Sequence, residues 1–513
     1  MPEDYAEGEV PQPRKKSNEE VAVELEQRYP ETAPAYPKEV PVGYPSLPPG
    51  SAADKEEKKP KEVRKIKSSA PSSRRLVQIN CDEAGRTVKS IEDEPYYHGF
   101  MTRQDTEKIL KKDGEFLVRK TDVGGRHHIV ISLMESGELK HFLIKRTSKK
   151  RLYWVYDYAF KTVSDLVQYH LRNRAPLTAT GTFLEKPCQK KEWQLNPEQI
   201  EPQVKIGEGA FGEVYKGLLQ DGIWGARIPV AIKTLHSTNM TADDRIQFLQ
   251  EASIMREFKH VGFSSIVQIH GLSEGKYFRC PIEYENVVRL HGVCTSKEPI
   301  MIVMELAAGG SLLSRLKNLQ KPPSTEAKVN FVYGGARGMA YLQSKEIIHR
   351  DIAARNCLLG EKDEVKISDF GLSFIGKTLR EKKLKKVPLR WLSPETLKRG
   401  VYNTKTDVYS FSIMIWEIFS FGQIPFYKYE NHELRVLIKE KKATLPTCLS
   451  EIPDDMNELR LRCMHPDPDV RPDFHELESI IAQMPGVRKP QPPSFLSRIS
   501  TAISDYIYGR VYT

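Results

Sequence analysis

His349-Arg350-Asp351-Ile352-Ala353-Ala354-Arg355-Asn356 sets a carboxylate and, five residues later, an amide in one short segment. A carboxylate can accept a proton, and an amide oxygen is a hard ligand for a divalent cation. A second carboxylate follows 18 residues on, in Asp369-Phe370-Gly371. Upstream runs Gly207-Glu208-Gly209-Ala210-Phe211-Gly212-Glu213-Val214. Glycines let backbone approach phosphate closely, so that N–H groups meet the oxygens. That motif also marks dinucleotide-binding folds, where a helix and then an acidic residue about 20 positions on should follow. Here strand-like residues follow instead and lead to Val230-Ala231-Ile232-Lys233. The shared theme of these residues is phosphate.

The four segments resemble the catalytic loop, glycine-rich loop, third-strand lysine and metal-binding triplet of protein kinases. The resemblance implies ATP with Mg2+, Mn2+ being the alternative. Asp351 would accept the substrate hydroxyl proton, and Asn356 and Asp369 would hold the metal. Gly207, Gly209 and Gly212 would cradle the phosphates that Lys233 positions. Lys233 needs a carboxylate to hold it. Glu251 supplies one, on a helix whose Phe248, Ile254 and Met255 form an inward apolar face. Adenine would lie against the segment Glu305 to Ala307, with Met304 behind it and Val214, Ala231 and Leu358 around the ring. Ser393-Pro394-Glu395 stands for the usual Ala-Pro-Glu. Glu395 should pair with Arg471, and Asp407 should anchor the catalytic loop. Ala353-Ala354-Arg355 and Pro388-Leu389-Arg390-Trp391 are both similar to tyrosine-kinase forms. Arg355 is then expected to contact the transferring phosphoryl group or the substrate.

A second set lies earlier. Residues 94–176 resemble an SH2 domain through Tyr97-His98-Gly99, Phe116-Leu117-Val118-Arg119 and His141-Phe142, with Tyr96 where the family usually has Trp. The resemblance implies phosphotyrosine binding. A dianionic phosphate calls for a planar, permanently charged fork. Arg119 would be that fork, Arg103 a second guanidinium and His141 a pocket wall. Alone, Arg119 reads as an ordinary strand arginine. Leu143 stands where some SH2 domains carry another basic residue. Thr102 should cap a helix running to Leu110, with Asp105 at its third position, and Phe160 to Leu171 should form another helix.

The elements that position these groups set the fold class. We expect a multidomain α+β chain: an SH2 domain with a central antiparallel sheet flanked by two helices, then a bilobal kinase fold, after a disordered N-terminal tail. The boundaries expected are 1–93 for the Pro/Lys-rich tail, 94–176 for the SH2 domain, 177–199 for a linker, 200–485 for the kinase domain and 486–513 for a C-terminal tail. The 513 residues, 39% hydrophobic, allow about three domains. The front tail holds Tyr29-Pro30, Tyr36-Pro37 and Tyr44-Pro45, and a basic cluster from Lys58 to Arg75. A solvated tail accounts for both. The end tail carries apolar residues at helical spacing from Phe495 to Ile507.

Seven scattered cysteines without a C-x-x-C pair fit neither a disulfide framework nor a zinc site, so a reducing compartment is expected. No apolar run spans a membrane and no signal peptide or myristoylation motif is visible. The net charge of +10 favours acidic partners. Without a nucleic-acid motif, phosphoproteins are the expectation: phosphotyrosine proteins on the SH2 domain, protein tyrosines as substrates. A cytoplasmic site follows, with recruitment to the inner face of the plasma membrane left open as a peripheral association.

An SH2 domain placed directly before a tyrosine kinase, with Met-Arg-Glu-Phe-Lys-His near Asn-Val-Val-Arg-Leu-His-Gly-Val-Cys, resembles the Fes/Fer group of non-receptor tyrosine kinases. The front of the chain does not match that group's long helical membrane-curvature module, so a shortened member is expected. Two further departures stand out. The segment from Asp369 to Glu395 has no tyrosine, only Ser373, Thr378 and Ser393 as hydroxyls, although the family's loop is usually ordered by phosphotyrosine. It is instead basic, with Lys377, Arg380, Lys382, Lys383, Lys385, Lys386 and Arg390 against Glu381. Second, residues 261–284 interrupt a join the family makes directly. Ile266-Val267-Gln268-Ile269-His270-Gly271 there echoes Val287-Val288-Arg289-Leu290-His291-Gly292. The second copy lies beside the following strand and should win the pairing; a gene-model error is the other explanation. The expected function is transfer of the ATP γ-phosphoryl to protein tyrosine with SH2 targeting. The competing class is a catalytically weak SH2 and pseudokinase scaffold. A serine/threonine or dual kinase is disfavoured by Ala353 and Arg355.

Overall fold

Three consecutive apolar residues ahead of Arg119, buried on both faces of their strand, explain the first layer of the fold. The computed structural model describes residues 76–78, 90–123, 126–208, 212–221, 226–235, 241–259, 266–268, 277–279, 285–382 and 387–489. The chain divides into two compact units, 1–77 and 78–513, and the second contains every element that positions the sites. The expectations for the front tail, for Gly209, for Lys383, Lys385 and Lys386, and for the end tail beyond residue 489 lie outside the described residues.

The SH2 sheet contains β1 (Tyr97–Phe100), β2 (Glu115–Val123), β3 (Arg126–Glu135), β4 (Glu138–Arg146), β5 (Tyr153–Trp154) and β6 (Tyr158–Phe160), in the order β6-β5-β4-β3-β2-β1. β2, β3 and β4 form the antiparallel centre, while β1 joins β2 in parallel. Side chains on a strand alternate faces. Phe116 and Val118 therefore enter one core with Leu166 and Val167 of helix α2 (Val163–Arg172). Leu117 enters another with Leu110, beyond the end of helix α1 (Arg103–Ile109). Arg119 shares the face of Leu117 and so emerges beside α1. Thr102 caps α1, its side chain accepting from the Asp105 N–H at 3.1 Å. The second helix starts later than its apolar pattern suggested. Phe160 ends β6, and Thr162 caps α2 by accepting from the Asp165 N–H. A buried aromatic at a strand end and one at a helix start look alike in a short window.

The small lobe is a five-stranded sheet in the order β10-β11-β9-β8-β7. Its strands are β7 (Ile200–Glu208), β8 (Gly212–Asp221), β9 (Ala226–Leu235), β10 (Leu290–Cys294) and β11 (Met301–Glu305). Helix α3 (Ala242–Arg256), with a Thr241 capping box, packs Phe248, Ile254 and Met255 inward. The second copy of the echoed segment does take the sheet position, as β10 beside β11. Inside the insert, among the described residues, Ile266–Gln268 pairs only with Tyr277–Arg279. The connector covers the free side of β10: Val293 N–H donates to Trp193 O at 2.7 Å and Leu195 N–H to Val293 O at 2.9 Å.

The large lobe is built on α4 (Thr325–Ser344) and α5 (Thr404–Ile418). Both helices are apolar for most of their circumference, as expected of central helices. Phe331, Ala336 and Met339 of α4 share one core with Phe411, Met414 and Ile418 of α5.

Candidate active site

The β8–β9 register places Val214, the residue two past Gly212, opposite Lys233. A Cβ on Gly212 would lie 1.7 Å from Thr234 O, so only glycine permits that approach. Gly207 faces Val214 across the glycine-rich turn. Lys233 Nζ donates to both Glu251 oxygens, at 2.8 and 2.7 Å, and stands 3.6 Å from an Asp369 oxygen. Burial opposes the Lys233 charge, but Glu251 and Asp369 outweigh it and hold the ammonium above the usual lysine range. Desolvation likewise opposes charge on Asp369, but Lys233, His349 and the Gly371 N–H together offset it and keep that carboxyl below the usual range. The Asp369 side chain is 52% exposed, whereas Glu251 is 4% exposed. Phe370 is buried, its ring centroid 4.8 Å from that of Phe258 and 5.2 Å from that of His349.

In the catalytic loop, Asn356 Nδ2 donates to Asp351 Oδ2 at 2.8 Å and to Asp351 O at 2.7 Å. The other Asp351 oxygen pairs with Arg355, whose guanidinium lies 4.2 Å over the Trp391 ring. Asp407, buried on α5, accepts from the backbone N–H of His349 at 2.7 Å and of Arg350 at 2.9 Å. Burial pushes its carboxyl up to about 7. Arg471 and Glu395 form the expected buried pair, at 2.7 and 3.1 Å. Val214, Ala231 and Leu358 are half-buried around the crevice, as are Met304, Glu305 and Ala307 in the segment joining the lobes.

Glu417 was not foreseen. It accepts from the backbone N–H of Ala354 and from Trp391 Nε1, both at 3.0 Å, and so ties the catalytic loop to the platform. Burial pushes its carboxyl up to about 7. A lone acid inside Ile413-Met414-Ile415-Trp416-Glu417-Ile418 is the signal that could have found it.

The SH2 pocket brings its three expected residues together. Arg119, 5% exposed, donates through Nε to Ser132 Oγ at 3.0 Å and through Nη1 to Met101 O at 3.1 Å. Burial, then the nearby Arg103, lowers it to about 10, so it stays charged at neutral pH. Arg103 Nε donates to His141 Nε2 at 2.9 Å. The His141 Nδ1–H then faces Ser132 Oγ at 2.9 Å, which fixes the tautomer. Burial and the two guanidinium groups hold His141 down at about 4, hence neutral. Among the described residues no carboxylate pairs with Arg103 or Arg119, which leaves two guanidinium groups for an anion.

Sequence reasoning also missed how this domain meets α3. Asp122, at the far end of the Arg119 strand, pairs with Arg245 in the first turn of α3. Asp105 pairs with Arg256 at the last turn and accepts from Ser253 Oγ at 2.9 Å. Lys108 donates to Glu257 at 2.7 Å. Both ends of the helix that carries Glu251 are therefore held by the SH2 domain. Nothing in the residue pattern signals these pairs, because each joins segments more than 100 residues apart.

With this geometry in view, the comparisons with known proteins agree. Residues 200–278 and 272–481 match the family model described as protein tyrosine and serine/threonine kinase, and residues 96–170 match the SH2 domain. The chain is 41% identical to spermatocyte protein spe-8 of Caenorhabditis elegans over 72% of its own length and 68% of that protein. It is 37% identical to Fer-related kinase 1 of the same organism, over 68% of its length and 83% of that protein. With human tyrosine-protein kinase Fer the identity is 33%, covering 81% of this chain and 46% of that one. No helix among the described residues is long and apolar enough to cross a membrane. The chain thus belongs to the SH2-containing protein-tyrosine kinases of the Fes/Fer group, a family that uses ATP with a divalent metal, acts on proteins and binds phosphotyrosine through its SH2 domain.

Proposed function

We propose that Asp351 is the general base of this kinase and that Asn356, Asp369, Lys233 and Glu251 complete its catalytic set. The supporting observation is two clusters joined through Ser368: Lys233 with Glu251 and Asp369, and Asp351 with Asn356 and Arg355, with Ser368 donating through N–H and Oγ to Asn356 O, both at 2.9 Å. The donor set fits Mg2+, which binds few protein carboxylate or amide oxygens and completes its shell with phosphate oxygens and water. Asp369 is half-exposed, and Asn356 spends its amide N–H groups on Asp351, leaving its oxygen free of that contact. When bound, the metal would neutralise phosphate charge. Lys233, held charged by Glu251, would position the phosphates beneath the turn of Gly207, Gly209 and Gly212. Val214, Ala231 and Leu358 would enclose the adenine against Glu305 and Ala307. Arg355, stacked on Trp391, would orient Asp351 and meet the incoming phenol.

Arg119, Arg103 and His141 would bind the phosphotyrosine that targets the enzyme, with domain limits at 94–176 and 200–485. Docking of the SH2 domain on both ends of α3 would support the active placement of Glu251. A cytoplasmic location suits the free cysteines among the described residues. The basic excess suits transient contact with an anionic membrane face.

The decisive assay uses the purified full chain, Mg-ATP and a mixed pool of tyrosine and serine peptides, with Asp351→Asn as control. Phosphotyrosine above the control is expected. Phosphoserine alone would overturn the acceptor assignment, and equality with the control would overturn catalysis.

A further inference from the structure

The segment between Asp369 and Glu395 contains no tyrosine, yet its described part is tied down. Leu379–Arg380 pairs antiparallel with Val401–Tyr402. The next residue, Glu381, donates its N–H to Gly400 O at 2.8 Å. Gly400 has a left-handed φ of 62°, and a Cβ there would lie 1.9 Å from Glu381 O, so this contact demands glycine. The Glu381 carboxylate pairs with Arg350 Nη2 at 2.7 Å.

Arg350 directly precedes Asp351. Its guanidinium also donates to Leu372 O at 2.9 Å, one residue past Asp369-Phe370-Gly371, and lies 4.2 Å over the Tyr402 ring. The Arg350 side chain is 10% exposed and Glu381 31%. A guanidinium this enclosed is costly without an anion. One carboxylate thus connects the catalytic loop, the metal-binding triplet and the strand that leads to the substrate platform.

We propose that Glu381 is a positioning residue whose carboxylate supplies, permanently and through Arg350, the negative charge that orders this segment. The kinase then needs no phosphate on the segment to reach its active arrangement. The proposal rests on the kinase assignment, and the test separates the two.

The full chain is phosphatase-treated, and mass spectrometry checks residues 369–395 for phosphate. Wild type, Glu381→Gln, Glu381→Asp, Glu381→Tyr and Asp351→Asn are compared for kcat, for KM of ATP and for hydrogen exchange across residues 376–402. We expect the phosphate-free wild type to be fully active. Glu381→Gln should lower kcat about tenfold or more, with KM for ATP within about twofold, and exchange should rise by a similar factor. Glu381→Asp should keep part of the activity. Glu381→Tyr should be slow until that tyrosine is phosphorylated and then recover, because a phosphate restores the anion; a merely structural residue would show no such rescue. Glu381→Gln with wild-type kcat and exchange overturns the proposal, as does loss of wild-type activity on phosphatase treatment or activation by phosphate on Ser373 or Thr378. A wild type no faster than Asp351→Asn overturns the kinase assignment instead, and the exchange comparison still decides the clamp.

Discussion

Asp105→Asn should uncouple the SH2 domain from α3 without unfolding either. The Asp105 side chain is 8% exposed and that of Arg256 14%, so their pair is little screened by solvent. A hydrogen bond to a charged partner contributes about 1.5–3 kcal/mol. Arg256 would keep its stack on Trp193, whose ring centroid is 4.0 Å away, and asparagine would still accept from Ser253. A net loss of about 2 kcal/mol in docking results, or roughly 30-fold in the docked-to-undocked ratio. If docking fixes Glu251 against Lys233, kcat/KM for ATP should fall about tenfold or more. Phosphopeptide affinity should stay within about twofold, since Asp105 lies outside the arginine pocket. Arg256→Met should behave alike, and the double variant should add little, giving a coupling energy near 2 kcal/mol. Hydrogen exchange that finds α3 exposed in Asp105→Asn, with ATP turnover unchanged, would refute this coupling. In that case α3 is held by its own small-lobe contacts and the SH2 domain is a passenger.

Three further outcomes are expected. Arg119→Lys should weaken phosphotyrosyl-peptide binding about 30-fold or more by calorimetry, because an ammonium cannot reproduce the planar fork. His98, 1% exposed and held down at about 4 by burial, should link stability to pH. Its folded pKa lies below the unfolded value, so the unfolded chain binds the proton first; stability is full above about 6.5 and falls toward pH 4 by up to about 3 kcal/mol, and urea titrations of His98→Gln should lack that component. Deleting residues 261–284 should leave kcat within about threefold, since the described insert strands pair only with each other; a dead enzyme would show that the insert supports the small lobe.

Much of the site was legible because phosphate chemistry demands rare residue combinations at fixed spacing. Lys233, Asp351, Asn356 and Asp369 announce themselves, and a capped helix follows from Thr102 and Asp105. Pairings with no local correlate stayed hidden. Glu381 reads as one acid in a basic loop, and Asp122 as an ordinary strand-end acid. Their meaning lies in Arg350 and Arg245, which reach them through the fold alone. Phe160 was misplaced because a buried strand end and a helix start share the same apolar signature.

The connector along β10 has a consequence for assembly of the small lobe. The chain carries two near-copies of one strand, and an open sheet edge would accept either, or a strand from another molecule. Trp193 and Leu195 occupy that edge with backbone hydrogen bonds to Val293. A Cβ on Gly292 would lie 2.6 Å from Trp193 O, so the seal closes only over glycine. Residues 193–195 leave the ribosome before either copy. The connector therefore closes the outer edge of β10, the side on which a strand from another molecule could otherwise add.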